Sequence, residues 1–266
     1  FKELMSNGIK TDVIIVRSNG VVTDDLREKI SLFCDVPVEA VIQSTNVDLI
    51  YEVPLVFHDQ HLDDYILKEL DLEDRPASKG KWKEMVERFK DVKGEVTIGL
   101  VGKYVSLHDA YLSVTQALTD AGCENGYKVN IEWINSEDIE KDVSVLDGLD
   151  GIIVPGGFGS RGTEGMIMAS KYARDNHIPY FGICYGMQVA LIDIARNKLG
   201  LKDANSTEIN PDTNYPIIDL LENQKDIKNV GGTLRLGNYD CTLEKDSLVY
   251  SLYGEEKIKE RHRHRY

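Results

Sequence analysis

The sequence predicts an α/β protein in which a doubly wound, mostly parallel sheet is preceded by a β-α-β remnant of a second α/β domain. Three observations carry that expectation. Apolar strand patterns alternate with helical patterns from Val96 to Arg196, the rhythm of parallel strands joined by helices that cross the sheet faces. One strand pattern ends in Gly182-Ile-Cys184-Tyr-Gly186 and passes at once into a helical pattern, the strand–turn–helix corner that presents a nucleophile. Another ends at Pro155 and enters Gly156-Gly-Phe-Gly159-Ser-Arg-Gly162 ahead of a helix, so two functional-looking turns fall at the same edge of one sheet.

Taken in order, residues 11–17 read as a strand. Residues 25–34 read as a helix with Leu26, Ile30 and Phe33 on one face and Lys29 near them. A second strand is expected at Val41-Ile42, an extended apolar stretch over 50–57 and a helix over 62–70. This small set looks like the end of a domain, residues 1–70. Residues 71–94 are charged, and Trp82, Met85, Val86 and Phe89 are spaced as one helix face, which predicts a linker holding a docking helix. Residues 95–266 form the second domain. Its expected elements are a strand at 96–101, a helix at 109–121, and a strand where Val129, Ile131 and Trp133 alternate with polar residues. A strand at 152–155, a helix at 164–176, the Cys184 strand and a helix at 187–196 follow. Shorter strands are expected at 217–221, 231–237 and 239–243.

Composition sets limits. A net charge of −14 over 266 residues argues against nucleic-acid binding, which wants a basic face. No stretch approaches the roughly 20 apolar residues of a membrane span, and no signal-peptide pattern is present. The four cysteines lie far apart without metal-ligand spacing, which suits reduced thiols in the cytoplasm.

At the corner, Gly182 and Gly186 leave room around Cys184, and the helix N-terminus favours a thiolate there. A buried sheet cysteine is the competing reading. From Gly157 the second turn matches G-x-G-x-x-G, but the next strand ends in Cys184 rather than in an acid that would hold a ribose, so a dinucleotide site gains no support. Backbone N–H groups of Gly157 and Tyr185 as an oxyanion pair suit the loop better, because acyl transfer builds charge on a carbonyl oxygen.

Pro155-Gly-Gly-Phe-Gly159, Gly182-Ile-Cys-Tyr-Gly-Met-Gln188 and Asn205-Ser-Thr-Glu208 resemble the triad-type class I glutamine amidotransferase domain. Ala40-Val-Ile42, Ile50-Tyr-Glu-Val-Pro54, Leu62-Asp-Asp-Tyr-Ile66, Val101-Gly-Lys-Tyr104, Gly231-Gly-Thr-Leu-Arg-Leu-Gly237 and Glu260-Arg-His-Arg-His-Arg-Tyr266 are, in order, similar to the CTP synthase family. The resemblance implies a class I glutamine amidotransferase-like fold for residues 95–266 and the C-terminal part of a synthetase (amidoligase) domain for residues 1–70. It implies glutamine hydrolysis at Cys184 through a glutamyl thioester, with the ammonia aminating UTP to CTP in an ATP- and Mg2+-dependent reaction. ATP and Mg2+ would be held mainly by synthetase residues outside this sequence, whose phosphate-binding loop these residues lack. GTP would activate, CTP would inhibit by feedback, and homotetramers and filaments would form.

Position by position, Gly157, Tyr185, Gly186, Met187 and Gln188 resemble the glutamine pocket. Glu208 and Arg265 resemble the grip on the substrate's α-amino and α-carboxylate groups, which suits a zwitterion. Arg161 resembles part of a lid where GTP acts, and Lys29 the lysine that meets UTP or CTP. The backbone at Asn46-Val47 resembles the adenine contact, with Thr45-Asn46 where the family often carries a charged pair. The family's catalytic histidine and glutamate lie in a His-Pro-Glu-like run past the position of Tyr266, and none of the six histidines here stands in such a run. That motivates an alternative from another class, an inactive glutaminase-like module that binds nucleotide or supports polymer assembly.

Overall fold

A short helix α1 (Lys2–Ser6) leads into β1 (Ile14–Arg17), which pairs in parallel with β2 (Val41–Ser44) across helix α2 (Asp24–Cys34). In this computed structural model residues 1–73, 80–225 and 235–266 are described. They divide into two units, Phe1–Lys93 and Gly94–Tyr266.

The core of the first unit gathers Val36, Ala40, Val41 and Tyr65, with Ile14, Val16, Ile30 and Cys34 against them. Only part of the expected α2 face is used. Ile30 packs inward, whereas Leu26 and Phe33 stay exposed. Residues 50–57 are not extended as expected. One 3₁₀ turn (Ile50–Glu52) runs into helix α3 (Val53–His58). Pro54 stands in the first helical turn, where its fixed φ and missing N–H cost nothing, and the Glu52 carboxylate accepts the Leu49 N–H. A short apolar run without alternation suits a helix as well as a strand. Helix α4 (Leu62–Glu69) buries Leu62 and Tyr65. Helix α5 (Gly80–Lys90) buries Val86, donates from Trp82 Nε1 to the Tyr51 carbonyl at 2.9 Å and sets Phe89 5.2 Å from the Tyr51 ring.

The second unit alternates β3 (Gly94–Gly102), α6 (Leu112–Asn125), β4 (Tyr127–Asn135), the short α7 (Ser136–Ile139), β5 (Gly151–Val154), α8 (Thr163–Asp175), β6 (Tyr180–Gly182) and α9 (Tyr185–Asn197). The four strands lie in the order β4-β3-β5-β6, every pair parallel. Successive side chains of a strand point to opposite faces, and both faces are filled. Val101, Ile152 and Val154 pack with Met166, Val189 and Ile192 of α8 and α9. Leu100 and Ile153 pack on the other side with Tyr111, Val114 and Leu118 of the α6 region. This is the doubly wound sheet that the alternation implies.

Beyond it, β7 (Ala204–Ser206) pairs in parallel with β8 (Tyr215–Ile218). The expected strand at 217–221 therefore begins and ends earlier. The glycine-rich motif at 231–237 begins outside the described residues. Strand β9 (Arg235–Thr242), helix α10 (Leu248–Tyr253) and strand β10 (Lys257–His264) close the chain. Polar except for the buried Ile258, 257–264 shows no strand pattern in sequence, yet it pairs antiparallel with β9 along its whole length. Among the described residues no helix is long and apolar enough to cross a membrane.

Candidate active site

Strand β6 stops at Gly182, and Cys184 caps the N-terminus of α9 with φ 55° and ψ −103°. That conformation is sparsely populated for a residue with a Cβ and costs about 1–3 kcal/mol, so the surroundings must enforce it. They do so through backbone contacts. The Ile183 N–H donates to the Val154 carbonyl at 2.9 Å, the Gly186 N–H donates to the Ile183 carbonyl at 2.9 Å, and Tyr180 Oη donates to the Gly186 carbonyl at 2.8 Å. Both flanking glycines are required by close approach. A Cβ on Gly182 would sit 2.5 Å from the Gly186 carbonyl group, and one on Gly186 would run into the Val154 carbonyl oxygen. The corner expected from sequence is therefore present, and it is strained.

The glycine loop after β5 abuts this corner: a Cβ placed on Gly156 would lie 3.6 Å from that of Cys184. The Tyr185 N–H donates toward the Cys184 sulfur, which favours the thiolate as expected of a helix N-terminus. Burial acts the other way and is the larger effect, helped by the negative charge of Glu208, so the thiol is pushed up from its ordinary value.

Glu208 follows β7, its N–H donating to Ser206 Oγ at 3.2 Å, and its Oε1 accepts the Gly159 N–H at 2.8 Å. Arg265 stands just past β10, where its carbonyl accepts the Leu221 N–H at 3.1 Å. Its Nε is buried and has no hydrogen-bond partner among the described residues, a costly state for a guanidinium donor that a bound anion would relieve.

These groups border one cavity of about 860 Å³. Of the residues expected to form the site, Gly157, Cys184, Gln188, Glu208 and Arg265 line it. Tyr185 and Gly186 are buried in the corner, so Tyr185 contributes its N–H and its hydroxyl network rather than an exposed ring. Met187 is half exposed on α9 and outside the lining. Arg161 pairs with Glu137 at 3.1 Å and donates to the Lys103 carbonyl at 3.1 Å. Lys29 and Val47 lie in the first unit, Lys29 exposed on α2 and Val47 on the wall of a second cavity of about 450 Å³ that α3 and α5 also border.

The sequence reading left out Tyr104, Tyr111 and His264, which line the larger cavity, and the buried Lys103 beneath the glycine loop. Lys103 was visible only as part of the Val101-Gly-Lys-Tyr104 motif. Among the described residues no three carboxylate, imidazole or thiol side chains converge as metal ligands. Chemically the cavity joins a strained thiol, a carboxylate and an unsatisfied guanidinium, a combination suited to acyl transfer from an amino acid.

Residues 106–266 match the family described as glutamine amidotransferase class-I, and residues 1–72 the family described as CTP synthase N-terminus. Over its full length the chain is 53% identical to a CTP synthase of Clostridium acetobutylicum and 50% identical to one of Bacillus subtilis. In each case the match covers 100% of this chain and 50% of the relative. The chain thus spans about half the length of the curated relatives it matches. Among solved structures, the glutaminase domain of Trypanosoma brucei CTPS with bound acivicin is similar at a TM-score of 0.59 and 38% identity, covering 64% of this chain and 67% of that one.

Proposed function

The chain belongs to the class I glutamine amidotransferases and, within them, to the CTP synthase family, and we propose that its second unit hydrolyses glutamine at Cys184. One observation carries the reading: Cys184, Glu208 and Arg265 border a single cavity, and the Arg265 guanidinium there has an unsatisfied buried donor. Glu208 takes the substrate's α-ammonium and Arg265 its α-carboxylate, which sets the side-chain amide against the thiol. The Cys184 thiolate adds to the amide carbon, and the electron pair moves onto the oxygen between the N–H groups of Tyr185 and Gly157. The C–N bond then breaks, the nitrogen leaves as ammonia with the proton that the thiol gave up, and a glutamyl thioester remains. Water hydrolyses the thioester to glutamate and regenerates the thiol. Because burial raises the thiol, removal of its proton is a step that the site must drive.

The N-terminal match to the CTP synthase family supports the rest of the proposal. Residues 1–70 belong to the synthetase domain, residues 71–94 are a linker, and residues 95–266 are the glutaminase. In the whole protein the released ammonia aminates UTP to CTP in an ATP- and magnesium-dependent reaction. Lys29 meets UTP or the inhibitor CTP, and the backbone at Val47 meets adenine. GTP acts as activator, and the protein works in the cytoplasm as a homotetramer that also assembles into filaments. No observation favours the inactive-module alternative.

The test is alkylation by the chloromethyl ketone analogue of glutamine, followed by intact-mass and peptide mapping. Adduct at Cys184 alone is expected. Absence of adduct, or adduct at Cys123 or Cys241, counts against the reading.

A further inference from the structure

We propose that Lys103 is a positioning residue that holds the glycine loop in its oxyanion-binding shape, an inference that rests on the glutaminase reading. Lys103 directly follows β3 and is 6% exposed. Its ammonium donates to the Phe158 carbonyl at 2.9 Å and to the Gly159 carbonyl at 2.6 Å, and it stands 4.6 Å from the centroid of the Tyr185 ring.

The Phe158–Gly159 peptide is held at both ends. Its carbonyl accepts from Lys103, and its N–H donates to Glu208 Oε1 at 2.8 Å. In a trans peptide these two groups point in opposite directions, so a cation and a carboxylate fix one peptide plane from its two sides. The next carbonyl, that of Gly159, also accepts from Tyr185 Oη at 3.0 Å and Thr163 Oγ1 at 3.2 Å. Lys103 is itself anchored through its backbone, its N–H donating to Tyr111 Oη at 3.2 Å and its carbonyl accepting from Arg161 Nη2 at 3.1 Å.

The clamp matters because the loop has little stiffness of its own. Gly156, Gly157 and Gly159 flank the held plane, and Gly159 sits at φ 74°, so the intrinsic barrier to turning these peptides is small. The Gly157 N–H lies two peptides upstream of the clamped plane, and its aim depends on that plane staying put. Burial lowers the ammonium to about 8, with Glu208 partly offsetting that shift. A buried ammonium is a costly donor for carbonyls that a neutral group would also satisfy. Its placement opposite Glu208, the proposed ammonium grip, ties loop shape to the substrate-binding carboxylate.

The test compares two alkylating reagents on the wild-type chain and on Lys103→Met, which is one atom shorter, fills most of the same space and removes the donors. The chloromethyl ketone analogue of glutamine must place its ketone oxygen in the oxyanion site. Iodoacetamide displaces iodide at a saturated carbon and needs no such site. Loss of one oxyanion donor costs about 10²–10³ in rate, so misaiming one is expected to lower the limiting ketone rate at least about tenfold. The half-saturating ketone concentration should change less than about threefold and the iodoacetamide rate at Cys184 less than about twofold, since neither depends on the oxyanion donors.

An unchanged ketone rate, a change confined to half-saturation, or an equal fall with both reagents overturns the proposal. If Lys103→Met does not fold, Lys103→Gln, too short to span both carbonyls, is expected to show the same split and is judged by the same outcomes. If that variant also fails to fold, the role of Lys103 is structural and the proposal falls. A wild-type chain that the ketone does not label overturns the glutaminase reading, and this inference with it.

Discussion

The two units handle their apolar surface differently. In the second, a four-stranded sheet is covered on both faces, and Leu100, Val101 and Val154 are fully buried. In the first, a two-stranded sheet leaves Leu32 and Phe33 of α2 about four-fifths exposed. The difference shows what a strained site demands. A residue held at φ 55°, such as Cys184, persists only where its neighbours over-determine the backbone, and the doubly covered sheet supplies that constraint through Val154 and Gly186. Among the described residues of the first unit, the non-glycine positions at positive φ are Asp35, His61 and Asp71, away from the proposed nucleotide contacts Lys29 and Val47.

Substitutions that strike the constraint in one unit and a loose face in the other sharpen this contrast. The largest expected effect is Gly186→Ala. Its Cβ meets the Val154 carbonyl oxygen, so one of two buried backbones must move, at a cost of about 3 kcal/mol. For a unit of this size that corresponds to a melting temperature lower by roughly 6–12 °C, measurable by calorimetry, with loss of ketone labelling at Cys184. A melting temperature within about 2 °C of wild type would break the argument that the corner is over-determined.

A smaller effect is expected from Glu208→Gln, which keeps an oxygen for the Gly159 N–H but removes the charge. Loss of a charge-assisted contact to the ligand ammonium should raise the half-saturating ketone concentration about tenfold. The negative charge of Glu208 is one cause of the raised Cys184 thiol. A raised thiol delays the thiolate to higher pH, so iodoacetamide alkylation of the wild type should climb past the usual thiol range. In Glu208→Gln the midpoint should move down. A midpoint that stays in place or rises would contradict the electrostatic account.

The smallest effect is expected in the first unit. Phe33→Ser should change stability by less than about 0.5 kcal/mol, whereas Val41→Ala, at a buried core position, should cost about 2 kcal/mol. Denaturant melts separate the two. A large loss from Phe33→Ser would mean that the exposed face is covered.

Much of the second unit was readable from local pattern. Alternation of Val129, Ile131 and Trp133 marks a strand, and Gly182 and Gly186 around Cys184 mark a turn too tight for side chains. Such signals are carried by neighbours in the chain. The same logic failed at 50–57, where an apolar run without period suited two conformations and Pro54 decided between them. It failed again at 257–264, whose mostly polar residues form β10 only because β9 offers an edge to pair with.

By itself, then, the sequence determined the α/β alternation and the glycine-flanked cysteine corner, which rest on residue types at short spacing, and the family to which the chain belongs, which rests on motifs that follow in order along nearly the whole chain. Only the tertiary structure decided that Glu208 and Arg265 reach the cavity of Cys184, that burial raises the thiol against the pull of the helix N-terminus, and that Lys103 lies beneath the glycine loop. Those relations join residues dozens of positions apart. Desolvation and hydrogen-bond geometry exist only once the sheet has brought their elements to one edge.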